Sequence, residues 1–314
     1  MQDSLFDLSG KVAVITGSSR GIGAAIAEQM ARHGARVVVS SRKAEACEPV
    51  AQKLRDAGHE AIAVACHIGH KDQLEHLVSE TKKAFGRIDV LVCNAATNPV
   101  YGPTSEITDE AWDKIMETNV RSTFWLCNMV APDMAQQGGG NIIVLSSIAG
   151  LRGNGVIGAY GVSKAAEAAL VRNLAVEWGP KNIRANAIAP GLIRTDFAKA
   201  LLDDPERKKQ AEQRTPVRRI GEPNDIAGVA VFLASQAGAY VTGVALEPAG
   251  TGRCLKAAGE IQDGPYADTK EQMGGVYVIN AGSMAEAEAW ARKCPVHKSG
   301  GTIEIRPVPD YGSA

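Results

Sequence analysis

The sequence predicts an α/β fold, a doubly wound parallel sheet with helices on both faces, followed by a small C-terminal α+β extension. Three observations lead there. Short apolar runs alternate with stretches of helical periodicity from residue 11 to about residue 235, the spacing of repeated β-α units. The runs are continuous rather than alternating, as strands covered on both faces must be. Hydrophobic residues make up 45% of the chain but aromatics only 5%, so Ala, Val, Ile and Leu must fill the core.

Residues 11–16 (KVAVIT) form the first strand, followed by a Gly-rich turn and a helix over 22–33 that Gly34 closes. A strand begins at Arg36 (RVVVS), and a helix over 44–57 ends at Gly58. Then come the strand AIAVAC (61–66), a helix over 71–85 and the strand IDVLVCNAA (88–96). One helix is expected over 109–134, then the strand NIIVLSS (141–147), a long helix over 160–178 and the strand IRANAIAP (183–190). Pro223 precedes a last helix over 224–235. The segment 198–216 is charged and helical in propensity, suited to a solvated helix and to a mobile lid alike.

The pattern changes after Gly243. Residues 244–265 show no clear periodicity, and a strand (276–280), a helix (284–294) and a strand (302–308) follow. The expected division is therefore 1–247 for the main domain and 248–314 for an extension too small to hold a secure core of its own.

Charge and cysteines exclude several classes. A net charge of −1 gives no footprint for nucleic acid or an anionic membrane. The longest apolar stretch, Ile226 to Ala234, is too short to span a bilayer. The six cysteines form no Cys-x-x-Cys pair and no zinc-spaced cluster, so no metal site is expected. They read as reduced thiols. The first residues, MQDSLFDLSGK, lack the apolar core of a signal peptide, so a cytoplasmic location is expected.

The turn after the first strand reads Thr16-Gly17-Ser18-Ser19-Arg20-Gly21-Ile22-Gly23. Glycines at a strand-to-helix junction let backbone amides approach a pyrophosphate, with the helix dipole behind them. This is the dinucleotide-binding arrangement of a Rossmann-like sheet. An NAD site carries an acid after the second strand, where it accepts from the ribose 2′-hydroxyl. Here the chain reads Ser40-Ser41-Arg42-Lys43. Ser41 and Arg42, with Arg20 from the loop, suit a 2′-phosphate, which points to NADPH.

Ser147 ends a strand, and Tyr160 and Lys164 lie one helical turn apart on one face. Carbonyl reduction needs hydride on carbon and a proton on oxygen. Tyr160 can supply the proton once a cation stabilises its phenolate; lowering its pKa by about 3 units needs roughly 4 kcal/mol. Lys164 and a cationic nicotinamide can provide this, and Ser147 can polarise the substrate oxygen.

Thr16-Gly17-x-x-x-Gly21-x-Gly23, Asn94-Ala95-Ala96, Asn119, Ser147, Tyr160-Gly161-Val162-Ser163-Lys164 and Pro190-Gly191 occur in order. Over residues 8–247 the chain thus resembles the classical short-chain dehydrogenase/reductases. The resemblance implies that Asn119 holds a relay water, that Lys164 also binds the nicotinamide ribose, and that Asn94 lines the cofactor site. It also implies that Ile193 and Thr195, in Gly191-Leu192-Ile193-Arg194-Thr195, contact the carboxamide end, and that the protein is a homotetramer or homodimer. The segments Ser40-Ser41-Arg42-Lys43, Cys66-His67-Ile68-Gly69 and Asn94-Ala95-Ala96-Thr97-Asn98-Pro99 resemble the NADPH-dependent carbonyl/retinal reductases within the family. His67 stands where most members carry an Asp that holds the adenine; it reads equally as an adenine contact or as a half-buried loop histidine.

The family's closing Val-Asp-Gly-Gly turn is replaced by Val244-Ala245-Leu246-Glu247-Pro248-Ala249-Gly250. From there Asp263-Gly264-Pro265 and Thr302-Ile303-Glu304-Ile305-Arg306-Pro307 resemble the C-terminal half of the YCII-related domain, a ferredoxin-like α+β unit. Reduction of a small ketone or aldehyde with NADPH is the expected function. Alcohol oxidation and 3-oxoacyl reduction share the same residues, and the altered tail leaves a cofactor-binding scaffold as a reading from another class.

Overall fold

The computed structural model describes residues 5–198, 202–246, 253–255, 261–263, 283–292 and 303–305. Its main sheet contains β1 (Val12–Thr16), β2 (Arg36–Ser41), β3 (Ala61–Ala65), β4 (Val90–Cys93), β5 (Gly140–Leu145), β6 (Ile183–Ile188) and β7 (Ala245–Leu246). The seven strands run parallel in the order β3-β2-β1-β4-β5-β6-β7.

Alternate residues of each strand face opposite layers. Ala13, Ile15, Val37, Val39, Val90 and Val92 pack with Ile26 and Met30 of α1 (Gly21–Arg32) and with Ile226 and Val231 near the end of the main sheet's chain. Val14, Val38, Leu91 and Val144 pack in the other layer with Leu74 and Leu77 of a helix here called α3 (Lys71–Phe85), after α2 (Ala44–Asp56). This two-sided burial is why the strand sequences are unbroken apolar runs. The order reverses between β1 and β4, so the crevice beyond their carboxyl ends is the topological switch point, where open α/β sheets bind ligands.

The expected single helix over 109–134 is three pieces: α4 (Asp109–Ile115), a π-helical turn (Met116–Arg121) and α5 (Ser122–Gln136). The wider turn contains Asn119, whose side chain is bonded outside its own helix (below); such bulges occur where a helix is opened for function. Next along the chain are α6 (Gly158–Trp178), α7 (Pro205–Arg214) and α8 (Pro223–Ala234), which carries Ile226 and Val231.

The described residues divide into two compact units, one within 1–208 and 220–248, the other within 209–219 and 249–314. The second contains β8 (Arg253–Leu255), β9 (Ile261–Asp263), α9 (Met284–Ala291) and β10 (Ile303–Ile305). Its sheet is antiparallel, in the order β10-β8-β9. β8 and β9 fall in the stretch read as aperiodic. The strand expected at 276–280 lies outside the described residues, as does Pro248.

Candidate active site

The phosphate loop is held from below by Asn94. Its Nδ2 donates to the carbonyl oxygens of Thr16 (2.9 Å) and Gly17 (3.0 Å), while Thr16 Oγ1 accepts from the Asn94 and Ala95 amides at 3.0 and 3.2 Å. Ser18, fully buried, donates to the Ile15 carbonyl (2.6 Å) and accepts from the Ser40 amide (2.9 Å), tying the loop to β2. Gly17 and Gly21 have φ of +65° and +58°, a region that favours glycine. Arg20, the residue before α1, makes no side-chain cap, and no acid lies in the first turn. The opening amides of α1 and its dipole are therefore offered to an anion. Ser19 is half-buried at the loop's tip, and Ile22 packs against the core. A dinucleotide's pyrophosphate fits this glycine cradle.

Arg20 is turned to Asp196, with Nη1 3.1 Å from the carboxylate and both side chains exposed. At the end of β2, Ser41 Oγ lies 3.0 Å from Cys47 Sγ. Arg42 is exposed. The His67 ring accepts from the Gly69 amide through Nδ1 at 3.1 Å, and its backbone N–H donates to Gln73 at 2.7 Å. Burial, then the charges of His70, Lys114 and Arg42, hold its pKa below the usual imidazole value. The neutral ring with Nδ1 accepting carries its proton on Nε2. His67 therefore presents a donor where an Asp would present acceptors. Ile68 beside it is buried.

The chemical centre lies across the crevice. Ser147 begins a short 3-10 turn, and its Oγ accepts from the Ala149 amide at 3.1 Å. Gly161 lets α6 approach that turn: a Cβ there would lie 2.7 Å from the Ala149 carbonyl oxygen. Tyr160, only 9% exposed, is hydrogen-bonded to Ser147, with the Phe197 ring 6.1 Å away. Sequence reasoning expects its pKa to be lowered. In the structure burial raises it, Lys164 opposes this, and the Glu167 carboxylate pushes it up again.

Lys164 is 1% exposed, and its Nζ lies 5.4 Å from the Tyr160 ring centroid. That nitrogen donates to the Leu145 carbonyl (2.8 Å) and to both Glu167 oxygens (3.0 Å each). Glu167, equally buried, was not singled out from the sequence. Its signal was there: Tyr160, Lys164, Glu167, Val171 and Leu174 form one stripe at helical spacing, and an acid on so apolar a stripe must face a partner.

Asn119 is wholly buried. Its Oδ1 accepts from the Thr97 amide (2.8 Å), and its Nδ2 donates to the Thr97 carbonyl and to Ser163 Oγ (3.0 Å each). Its own carbonyl accepts from Thr123 Oγ1 at 2.8 Å. It is joined to the catalytic helix through Ser163, which donates to the Tyr160 carbonyl (2.8 Å). Thr97 continues the Asn94-Ala95-Ala96 segment, so Asn119 anchors that floor too. Beyond β6 the Pro190 carbonyl accepts from the Ile148 amide (3.1 Å), and Gly191 follows beside Ile148. Ile193 bridges to Gly221, and Thr195 sits over Gly21, whose added Cβ would meet its methyl at 3.3 Å. Ser147, Tyr160 and Lys164 thus converge around one hydroxyl, while Thr195 and Arg20 lie at the phosphate loop.

The fold and this site define a Rossmann-type oxidoreductase that uses a nicotinamide cofactor. Residues 17–248 match the family model described as enoyl-(acyl carrier protein) reductase. Dehydrogenase/reductase SDR family member 4 of Bos taurus is 41% identical over 243 residues, 77% of this chain and 87% of that protein. A 7α-hydroxysteroid dehydrogenase in complex with NADH and 7-oxo glycochenodeoxycholic acid is 40% identical, with a TM-score of 0.75 over 79% of this chain and 96% of that one. A gluconate 5-dehydrogenase from Burkholderia cenocepacia, in complex with NADP and tartrate, is 32% identical, with a TM-score of 0.74 over 77% and 94%. The chain belongs to the short-chain dehydrogenase/reductase family. A YCII-related domain model also matches residues 226–311, beginning within α8 rather than at residue 248.

Proposed function

We propose that this protein is an NADPH-dependent carbonyl reductase, converting a ketone or aldehyde of modest size to an alcohol. One observation carries the reading: a buried Tyr160 hydroxyl bonded to Ser147 and flanked by the Lys164 ammonium. Bound NADPH supplies the hydride. Ser147 donates to the substrate oxygen and favours the charge that develops there. Tyr160 gives that oxygen its proton, and the nearby Lys164 charge lowers the cost of the phenolate left behind. Asn119 keeps the site's floor in register through Thr97 and Ser163. The Phe197 ring, 6.1 Å from that of Tyr160, borders the tyrosine, which favours substrates with an apolar body.

The cofactor preference rests on this chain's own residues. One solved relative is a complex with NADH and another with NADP. Here the β2 end offers Ser41 and Arg42 and no carboxylate, which supports NADPH. We place the chain in the cytoplasm, as a homotetramer or homodimer acting on a small carbonyl or alcohol without nucleic acid or membrane. The buried, free thiols of Cys47, Cys66, Cys93 and Cys127 suit a reducing compartment. Among the described residues no helix is long and apolar enough to cross a membrane.

The test is NADPH oxidation with a panel of carbonyls, a reactive diketone among them, in wild type and Tyr160→Phe. Turnover is expected to vanish in the variant with cofactor binding intact. Retained turnover overturns the reading.

A further inference from the structure

An ammonium group has three N–H donors. In Lys164 one goes to the Leu145 carbonyl at 2.8 Å, and on the side facing Glu167 both carboxylate oxygens lie 3.0 Å from Nζ. A lysine held this way and only 1% exposed has its ammonium turned to buried acceptors rather than outward to a cofactor ribose. Glu167 in turn depends on Lys164. The groups facing the pair are the Cys93 thiol from β4, which is hydrogen-bonded to the Cys127 thiol of α5, and Tyr160 of the same helix. None of these is a cation. If the ammonium moves away, the carboxylate remains in a dry pocket without a counter-charge, and such a group takes a proton.

We propose that Glu167 is a positioning residue that latches Lys164 in a withdrawn state, released when nicotinamide cofactor binding draws the ammonium to the ribose and Glu167 takes up a proton from solvent. The exchange balances: an ion pair and one solvent proton become a neutral carboxylic acid and an ammonium bonded to the cofactor. It follows from the nicotinamide-cofactor reading above. Burial already pushes Glu167 up to about 7 with Lys164 beside it, so protonation after separation is downhill near neutral pH. The latch also couples binding to chemistry. The Glu167 charge opposes Lys164 at the Tyr160 hydroxyl, and neutralising it leaves the Lys164 field unopposed.

The test is calorimetric titration of the full chain with NADPH at pH 8, in buffers of different ionisation enthalpy. Wild type is expected to take up close to one proton per NADPH bound, and Glu167→Gln none. A proton taken up means that wild-type affinity falls up to about tenfold per pH unit above 8 relative to the variant. Glu167→Gln should therefore bind NADPH more tightly, by a margin that widens with pH. A purely structural carboxylate would shift melting temperature without changing the proton count. Wild-type binding without proton uptake overturns the latch and leaves the cofactor reading standing; should the variant not fold, this wild-type measurement decides alone. No binding of either NADPH or NADH by wild type overturns both.

Discussion

The Asn94 side-chain amide occupies the space that a side chain at position 23 would need: a Cβ on Gly23 would lie 2.5 Å from Asn94 Nδ2 and 2.4 Å from the Gly17 carbonyl oxygen. Two sequence motifs about seventy residues apart are thus one object. Asn94 fixes the loop from the β4 side, and Gly23 lets α1 close on it from the other. Gly23→Ala should cost about 1–3 kcal/mol, because the obstructing atom is backbone and cannot swing aside. Urea denaturation reads the stability, and cofactor fluorescence titration should show NADPH affinity falling with it.

Ser41→Asp should reverse the cofactor preference. The new carboxylate would repel a 2′-phosphate and accept from a 2′-hydroxyl. Loss of one charge-assisted contact, about 1.5–3 kcal/mol, corresponds to a loss of NADPH affinity of at least about tenfold. NADH affinity should hold or rise. Equal losses for both cofactors would count against reading the β2 end as the phosphate-discriminating position.

Ser147→Ala should lower kcat about 10²–10³-fold, the usual effect of removing one donor to a developing oxyanion. Affinity for NADPH should stay near wild type, since the phosphate loop and β2 end are untouched. Steady-state kinetics and direct binding measurements separate the two effects.

Stability should respond to pH through Glu167. Its carboxyl is raised from 4.5 to about 7, chiefly by burial. A raised folded-state value contributes stability that is full below 4.5 and is lost as pH rises to about 7. At 1.36 kcal/mol per unit the change is about 3 kcal/mol. The stability of wild type relative to Glu167→Gln should therefore decline across this window and level off above it. Urea midpoints taken from pH 4.5 to 8 check the sign; a gap that is flat or grows would contradict it.

Much of the fold was legible because local rules and tertiary burial agree. The continuous apolar runs at β1, β2 and β4 are what two-sided cover demands, and helix stops at Gly34 and Gly58 mark real left-handed turns. The phosphate loop, Ser147, Tyr160 and Lys164 could be read because their chemistry is encoded in short, fixed spacings. Glu167 was overlooked because a carboxylate on a helix usually faces water. Only the burial of α6 turns it toward Lys164. The π-helical turn at Met116–Arg121 escaped notice for a related reason: the partners of Asn119 lie at Thr97 and Ser163, far along the chain. β8 and β9 carry weak periodicity, and β8 pairs with β10 about fifty residues later.

By itself, then, the sequence determined the β-α order, the family's chemistry and the residue types offered to a cofactor, since each depends on periodicity or on neighbours a turn apart. Tertiary structure alone decided how those residues are engaged. Packing brought Glu167 against Lys164, closed Asn94 under the glycine loop, set the proton of His67 on Nε2 and placed Tyr160 where burial raises its pKa. Contacts between distant segments, and the loss of water that accompanies them, are properties of the folded chain and leave no local pattern to read.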